Sequence, residues 1–460
     1  MQDDDLPLWL PRLAVHGGPR FLQIADALQA AVAEGSLTPG DRLPPQRRLA
    51  ALLGVDLTTI TRAYDEARRR HLLEGRGARG TYVAAPKVEL SAILDLSMNT
   101  PPPPDGVDFG DLLKQGLSQV LMSADAALLM TYHLGGGSDS DRKAGAQWLE
   151  PMLGQLDPRQ VVVCPGAQAA IAALILALTE PGDVILAEPT SYPGLRAAAA
   201  QFGRRIVAVE ADQHGMVPGA LEQACRQHQP GLVYLNPTLQ NPTAITIPEH
   251  RRQELASIAK RCKVRIVEDD PYWLLAETPP PPIATLAPEQ VYYISTLSKC
   301  LTPGLRVAFV LLRDPHERER FLVALRSFAL MAAPLTAALA TQWILDGSAD
   351  GLMAGVRKEA RLRHRMARDI LAGRYSGAGD GLHVWLELPG YWSPSQLARA
   401  ADSEGLAVTP AEAFATGGGA VNAIRISLGC IQDRGRLRAG LQRLSHLLAR
   451  RPESFSIAVV

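Results

Sequence analysis

Between residues 161 and 312, short apolar runs recur at 161–164, 184–187, 206–209, 232–235, 264–267, 291–294 and 307–312, and stretches of helical spacing alternate with them. Alternation of this kind predicts an α/β fold with a mainly parallel seven-stranded sheet covered by helices. In such a sheet, ligands collect at the carboxyl ends of the strands, so the polar residues that follow each run are the first candidates for chemistry.

The whole chain has 460 residues, 20% charged and 47% hydrophobic, which leaves room for two or three domains and excludes disorder or a collagen-like repeat as a description of the whole. Basic and acidic residues balance at 47 each, so any affinity for nucleic acid must be local. Five cysteines lie far apart with no C-x-x-C, which argues against a disulfide framework or a zinc site, and no metal is expected. The opening Met1-Gln2-Asp3-Asp4-Asp5 is acidic where a signal peptide is basic, and apolar stretches such as 169–178 fall short of the roughly 20 residues of a span. A soluble, cytoplasmic protein with no membrane partner is expected.

Local charge is found in residues 41–80, with nine arginines against five acidic residues. Phe21, Ile24, Leu28 and Val32 recur at helical spacing before Gly35 and Pro39-Gly40. A second short helix starts near Pro45 with Leu49, Leu52 and Leu53, and Gly54 ends it. A third places Ile60, Tyr64 and Ala67 on a buried stripe, with Thr58, Thr59 and Thr61 on one side and Arg62 and residues 68–70 along it. Two strands, 72–74 and 80–83, flank Gly75-Arg76-Gly77-Ala78-Arg79. A winged helix-turn-helix needs this order, with one helix in the major groove and a wing on flanking phosphates; a small helical cap with a solvated arginine face shares much of the pattern.

The run from Leu37 to Ala50, with Gly40-Asp41-Arg42-Leu43-Pro44-Pro45-Gln46-Arg47 at its centre, is followed by Gly54-Val55 and by Thr58-Thr59-Ile60-Thr61-Arg62-Ala63-Tyr64. Over residues 19–84 this closely resembles the GntR family of bacterial regulators. The resemblance implies double-stranded operator DNA as partner, with Arg47 on the backbone or a base edge, Thr58 and Thr59 on phosphates, and Gly80 in the wing tip beside Arg76 and Arg79. Leu57 stands where the family commonly has arginine, which removes a fork able to read guanine and moves base reading to Thr61 or Arg62. Residues 85–104, with Pro101-Pro102-Pro103-Pro104, read as a short stiff linker, and 105–460 as the effector domain.

In that larger region Pro165-Gly166-Ala167-Gln168 opens an apolar helix, an arrangement that holds phosphate, although many such glycines are only turns. Glu268-Asp269-Asp270-Pro271-Tyr272 follows the fifth run and reads equally as a metal site or a helix cap. Thr296-Leu297-Ser298-Lys299 follows the sixth, with Arg306 seven residues on; alone, Lys299 reads as a surface lysine. His133 reads as loop, Cys300 as packing, and Trp273 and Trp385 as core or pocket wall.

Together these pieces supply an amine, a carboxylate, hydroxyls, an arginine and an aromatic platform, the parts a pyridoxal phosphate site needs. Residues 95–460 resemble the fold-type I aminotransferases, and a GntR head on such a body resembles the MocR subfamily. The resemblance implies a smaller C-terminal α+β subdomain and pyridoxal 5'-phosphate as an aldimine on Lys299. It puts the phosphate on Gly166, Ala167, Gln168, Thr296, Ser298 and Arg306, the pyridine nitrogen on Asp269, the phenolic oxygen on Tyr272 and Asn241, and the ring on Tyr192. Arg425 of Ile424-Arg425-Ile426-Ser427 matches the arginine for an α-carboxylate. Tyr132 resembles the tyrosine that reaches the phosphate of the other subunit of a homodimer. Ala167 and Ala244 replace a common serine and the usual glycine.

The expected function is a DNA-binding regulator that senses a small amino acid or amine. Two other readings stay open: a working aminotransferase with an accessory head, and a regulator whose effector is pyridoxal phosphate itself.

Overall fold

Ile24, Leu28, Leu49, Ile60, Ala63, Tyr64, Leu73 and Val83 form one buried cluster in the first of two units, residues 1–92 and 93–460. In the computed structural model the described residues are 9–10, 18–70, 72–75, 80–84, 93–123, 126–371, 375–376, 379–417, 419 and 421–451. The first unit contains α1 (Arg20–Ala33), α2 (Gln46–Leu53) and α3 (Leu57–Arg69), then the antiparallel pair β1 (Leu73–Gly75) and β2 (Thr81–Val83). Gly54 ends α2 at φ 63°, a left-handed turn that favours glycine, and Asp56 caps α3 by accepting from Thr59 N at 2.7 Å. Arg76 and Arg79 lie outside the described residues.

The second unit is built on a seven-stranded sheet. Its strands are β4 (Val161–Cys164), β5 (Val184–Ala187), β6 (Arg205–Ala208), β9 (Leu232–Leu235), β10 (Arg265–Asp269), β11 (Val291–Thr296) and β12 (Ala308–Leu311), in the order β4-β12-β11-β10-β9-β5-β6. Only β12 runs antiparallel to its neighbours. A small hairpin, β7 (Ala211–Asp212) with β8 (Gly215–Met216), interrupts the chain. Alternation along the strands separates two cores: Val163, Leu186, Val233 and Ile266 face one, and Val162, Ile185, Tyr234 and Val267 the other. The helix Ala167–Leu178 is apolar almost all round because it lies over the second face, against the helix Pro315–Phe328 and the sheet.

A smaller α+β part holds β13 (Tyr375–Ser376), β14 (His383–Glu387), β16 (Thr409–Pro410) and β17 (Ala423–Ser427), in the order β13-β14-β17-β16, with the helices Pro394–Ser403 and Arg434–Ala449. Beside it, β3 (Leu94–Asp95) pairs in parallel with β15 (Leu406–Ala407). Residues 93–104 therefore belong to the body, and the expected linker of 85–104 is too long at its C-terminal end. Leu94 and Leu96 are buried in the core of the small subdomain, and Pro104 packs so closely on Gly355 that a Cβ there would meet it at 2.5 Å. Apolar burial and strand pairing hold this stretch where proline content alone suggested a spacer. Among the described residues no helix is long and apolar enough to cross a membrane, and no group of His, Cys, Asp or Glu is suited to a metal.

Candidate functional site

The carboxyl ends of β4, β9, β10 and β11 open on a cleft. Ala167, Gln168, Tyr192, Asn241, Asp269, Tyr272, Thr296, Ser298, Lys299 and Arg306 all line it. At one end, Gly166 caps the helix Ala167–Leu178 with φ 86°, and a Cβ on it would fall 2.6 Å from the Arg306 guanidinium. Helix amides, the guanidinium and the Ser298 hydroxyl thus converge on one anion cup. Thr296 Oγ donates to the Val307 carbonyl at 3.1 Å and lies 3.2 Å from Ser298 Oγ, so it orients Ser298. Gln168 donates to the Gly194 carbonyl at 2.9 Å while its Oε1 stays buried without a partner.

Asp269, at the end of β10, accepts from the Tyr234 hydroxyl at 2.6 Å through Oδ2, and its Oδ1 is buried with no partner. Burial pushes its carboxyl up to about 6, against the Tyr234 bond and the Lys299 charge. Lys299 sits in the short helix Leu297–Cys300, and its Nζ donates to the Asn99 carbonyl at 2.5 Å. Burial, helped by the positive Arg425, pushes this amine down to about 8. A nucleophilic amine, a carboxylate with one unused oxygen and an anion cup within a single cleft fit a phosphorylated pyridine aldehyde.

The lowered Lys299 value sets a sign for stability. Below about pH 8 the native state holds a buried charge that the unfolded chain holds in water, and this cost disappears as pH rises from about 8 to the ordinary 10.5. Without cofactor, Lys299→Met is therefore expected to stabilise the protein by roughly 2 kcal/mol at pH 7, after allowing for the lost Asn99 bond, with the gain shrinking toward pH 10. Thermal unfolding at the two pH values checks this; a gain that grows with pH contradicts it.

Arg425 on β17 is buried, and its guanidinium lies 5.0 Å from the centre of the Phe414 ring. It donates to Asn241 Oδ1 at 2.7 Å and to the Ser97 carbonyl. Burial pushes it down to about 10, which leaves it charged at neutral pH. Asn241 thus links Arg425 to the cleft. Tyr272 accepts from Asn99 Nδ2 at 2.9 Å, so its own proton stays available. Tyr132 is 73% exposed, away from these contacts. His133 is in a loop, and Cys300, its thiol pushed up to about 12 by burial, is packed. Trp385 is buried edge-on to Phe414, and Trp273 is partly buried, donating to the Pro280 carbonyl at 2.9 Å.

Several contributors escape a reading of the sequence. His383 bridges Asn99 Nδ2 at 3.2 Å and the Gln240 carbonyl at 3.1 Å, which requires the proton on Nε2. Burial holds it uncharged, down to about 3. Ser97, Asn99, Thr409 and Phe414 carry no local motif. Tyr234 and Asn236 do carry a signal: both follow the parity of β9 to its carboxyl end, where a polar residue faces the ligand side.

On the first unit, Arg47 and Arg62 are exposed, as is Leu57. Thr58 and Thr59 both donate their hydroxyls to Asp56, the second at 3.0 Å. The Thr61 hydroxyl has two acceptors within reach for its one proton, Gln46 Oε1 at 2.9 Å and the Leu57 carbonyl at 3.0 Å, so of the two proposed base readers Arg62 is the more exposed. Arg68, Arg69 and Arg70 pair with Asp65, Glu66 and Asp26, and of these carboxylates only Asp26 lies outside residues 41–80 and offsets the local excess further. Gly80, at φ 109°, lies against the Arg42 guanidinium, 3.3 Å from a would-be Cβ. Arg47→Ala is expected to weaken operator binding and to lower the slope of log affinity against log salt by about one, leaving any cofactor spectrum unchanged; filter binding over a salt series measures it.

Residues 92–444 match the family described as aminotransferase class I and II, and residues 21–83 match bacterial regulatory proteins, gntR family. The chain is 30% identical over 451 residues, 96% of each protein, to the uncharacterized HTH-type transcriptional regulator YdeF of Bacillus subtilis. It is 28% identical over 446 residues to the HTH-type pyridoxine biosynthesis transcriptional regulator PdxR of Corynebacterium glutamicum, covering 92% of this chain and 94% of that protein. The solved structure of LysN, an α-aminoadipate aminotransferase from Thermus thermophilus complexed with N-(5'-phosphopyridoxyl)-L-leucine, matches with a TM-score of 0.71 and 27% identity over 77% of this chain and 92% of that one.

Proposed function

This chain belongs to the class I and II aminotransferase family and, through its fused gntR-family head, to the MocR-type regulators, and on that premise we propose that it adjusts its grip on operator DNA when an amino acid or amine enters the body. It is a DNA-binding transcriptional regulator with a pyridoxal phosphate body. The observation that supports the sensing role is the single cleft in which Lys299, Asp269, Arg306 and Arg425 are brought together or linked through Asn241.

Bound pyridoxal phosphate supplies an aldehyde that condenses with amines and a ring that accepts electrons. Arg306, the amides of residues 167 and 168, and Ser298 would hold its phosphate. Asp269 would offer its unpartnered oxygen to the ring nitrogen, Tyr272 would keep a proton for the phenolic oxygen, and Tyr192 would provide the aromatic platform. Lys299 would present the amine and serve as the group that holds or moves a proton. Arg425 offers a planar fork to a carboxylate. Binding to operator DNA suits a cytoplasmic protein.

A homodimer completes this reading. Leu121, Met122, Met130 and Tyr132 are large and exposed on the single chain, which suits a face covered by a second copy, with Tyr132 reaching that copy's phosphate cup.

The direct test measures operator affinity of the purified full chain with and without pyridoxal phosphate and amino acids while its absorbance is recorded. A ligand-dependent change in both supports sensing. Affinity that follows pyridoxal phosphate alone makes the cofactor itself the effector. Because Lys299 and Asp269 are both in place, multiple turnover of an amino acid with a keto acid at enzyme-like rates favours an aminotransferase instead.

A further inference from the structure

The first segment of the body, residues 94–100, runs beside the cleft, where Asn99 bonds Tyr272 and Lys299 of its lining. Asp95 Oδ1 accepts from Ser97 N and Ser97 Oγ, each at 2.7 Å, and from Met98 N at 3.1 Å, forming a tight turn. That turn aims the Ser97 carbonyl at Arg425, with Ser427 Oγ at 3.3 Å as a further donor. Two residues later the Asn99 carbonyl takes the Lys299 amine. Two neutral carbonyls of one segment thus occupy the two cationic groups that a cofactor-bound amino acid requires.

Upstream of the turn, Leu94 and Asp95 pair with β15 and Ser427 N donates to the Leu96 carbonyl at 2.7 Å; beyond it, Asn99 Nδ2 is held by Tyr272 and His383, and Thr409 Oγ lies 3.4 Å from the Ser97 carbonyl. Gly429 lets Thr100 come close, since a Cβ there would lie 1.8 Å from the Thr100 carbonyl. Arg425 Nε remains buried without a partner, so the carbonyl satisfies the guanidinium incompletely. A carboxylate forms stronger, bidentate, charge-assisted bonds with such a fork than a single amide carbonyl does.

We propose that residues 97–99 are a latch that competes with the effector: its carboxylate takes Arg425 by displacing the Ser97 carbonyl, and this frees the segment through which the head is attached. The inference rests on the sensing role above and specifies its switch. A ligand that must open a closed latch binds more weakly by the fraction of molecules already open, so loosening the latch tightens binding. A segment that merely positioned the ligand has the opposite sign.

The test uses the full chain with two probes, N-(5'-phosphopyridoxyl)-L-leucine, which carries a carboxylate, and pyridoxamine phosphate, which does not. Asp95→Ala removes the acceptor that shapes the turn, whereas Asp95→Asn removes the same charge but keeps Oδ1. We expect Asp95→Ala to bind the leucine adduct roughly tenfold tighter, Asp95→Asn to match the natural protein, and pyridoxamine phosphate to bind all three alike. In the natural protein the adduct, and not pyridoxamine phosphate, raises hydrogen exchange at Leu94 and Leu96, whose amides donate to Gly405 and Ala407 carbonyls. If Asp95→Ala does not fold, exchange alone decides. Unchanged or weaker adduct binding, with exchange at 94–100 unmoved, overturns the latch and leaves the sensing role standing; failure of both probes to bind overturns the two together.

Discussion

Lys299→Ala protein, incubated with pyridoxal phosphate and then borohydride, gains no mass, while the natural protein gains one phosphopyridoxyl group per chain. Lys299 is the amine that lines the cleft, its charge is disfavoured by burial, and it lies beside the carboxylate and the anion cup. A less charged amine at the end of a strand is the nucleophile an aldehyde requires. Asp269, Arg306 and the helix amides are untouched by the substitution, so non-covalent binding persists, weaker by roughly one to two orders of magnitude. The variant also loses any amine-dependent change in a reporter assay. Label trapped on the variant as on the natural chain would assign the chemistry to another amine, and an intact response would remove Lys299 from the switch.

Arg425→Lys is expected to lower affinity for N-(5'-phosphopyridoxyl)-L-leucine by about 100-fold and to leave pyridoxamine phosphate nearly unaffected. Lysine keeps the charge but not the planar fork, and it cannot both bond Asn241 and lie across Phe414 as the guanidinium does. The lost charge-assisted bonds, at about 1.5–3 kcal/mol each, account for a change of that size. Calorimetric titration of the two compounds reads the difference. An equal loss for both makes Arg425 a support of the cleft rather than the carboxylate's partner.

Both experiments address groups whose chemistry is local, and those groups were legible in the sequence. The strand runs were found within a few residues because each is a short apolar stretch bounded by polar turns, and the two cores then follow from alternation. Lys299, Asp269, Tyr272 and Arg306 stand in compact motifs at strand ends, and the structure brings them to one cleft. Proline content overstates the linker because it signals only stiffness, while the burial that ties residues 94–104 to the body depends on partners some 300 residues away.

Local motifs, with the family resemblance they carry, were enough for the two-part architecture, the helix-turn-helix order and the set of groups that a phosphorylated aldehyde needs, since each depends on residues near one another in the chain. Tertiary structure alone decided what those groups touch before a ligand arrives: Thr58 and Thr59 turned to Asp56, Asn99 on His383 and Tyr272, the Ser97 carbonyl on Arg425. Side-chain and backbone acceptors from distant segments compete for the same buried donors, and only the packed chain determines which of them lies within hydrogen-bonding distance.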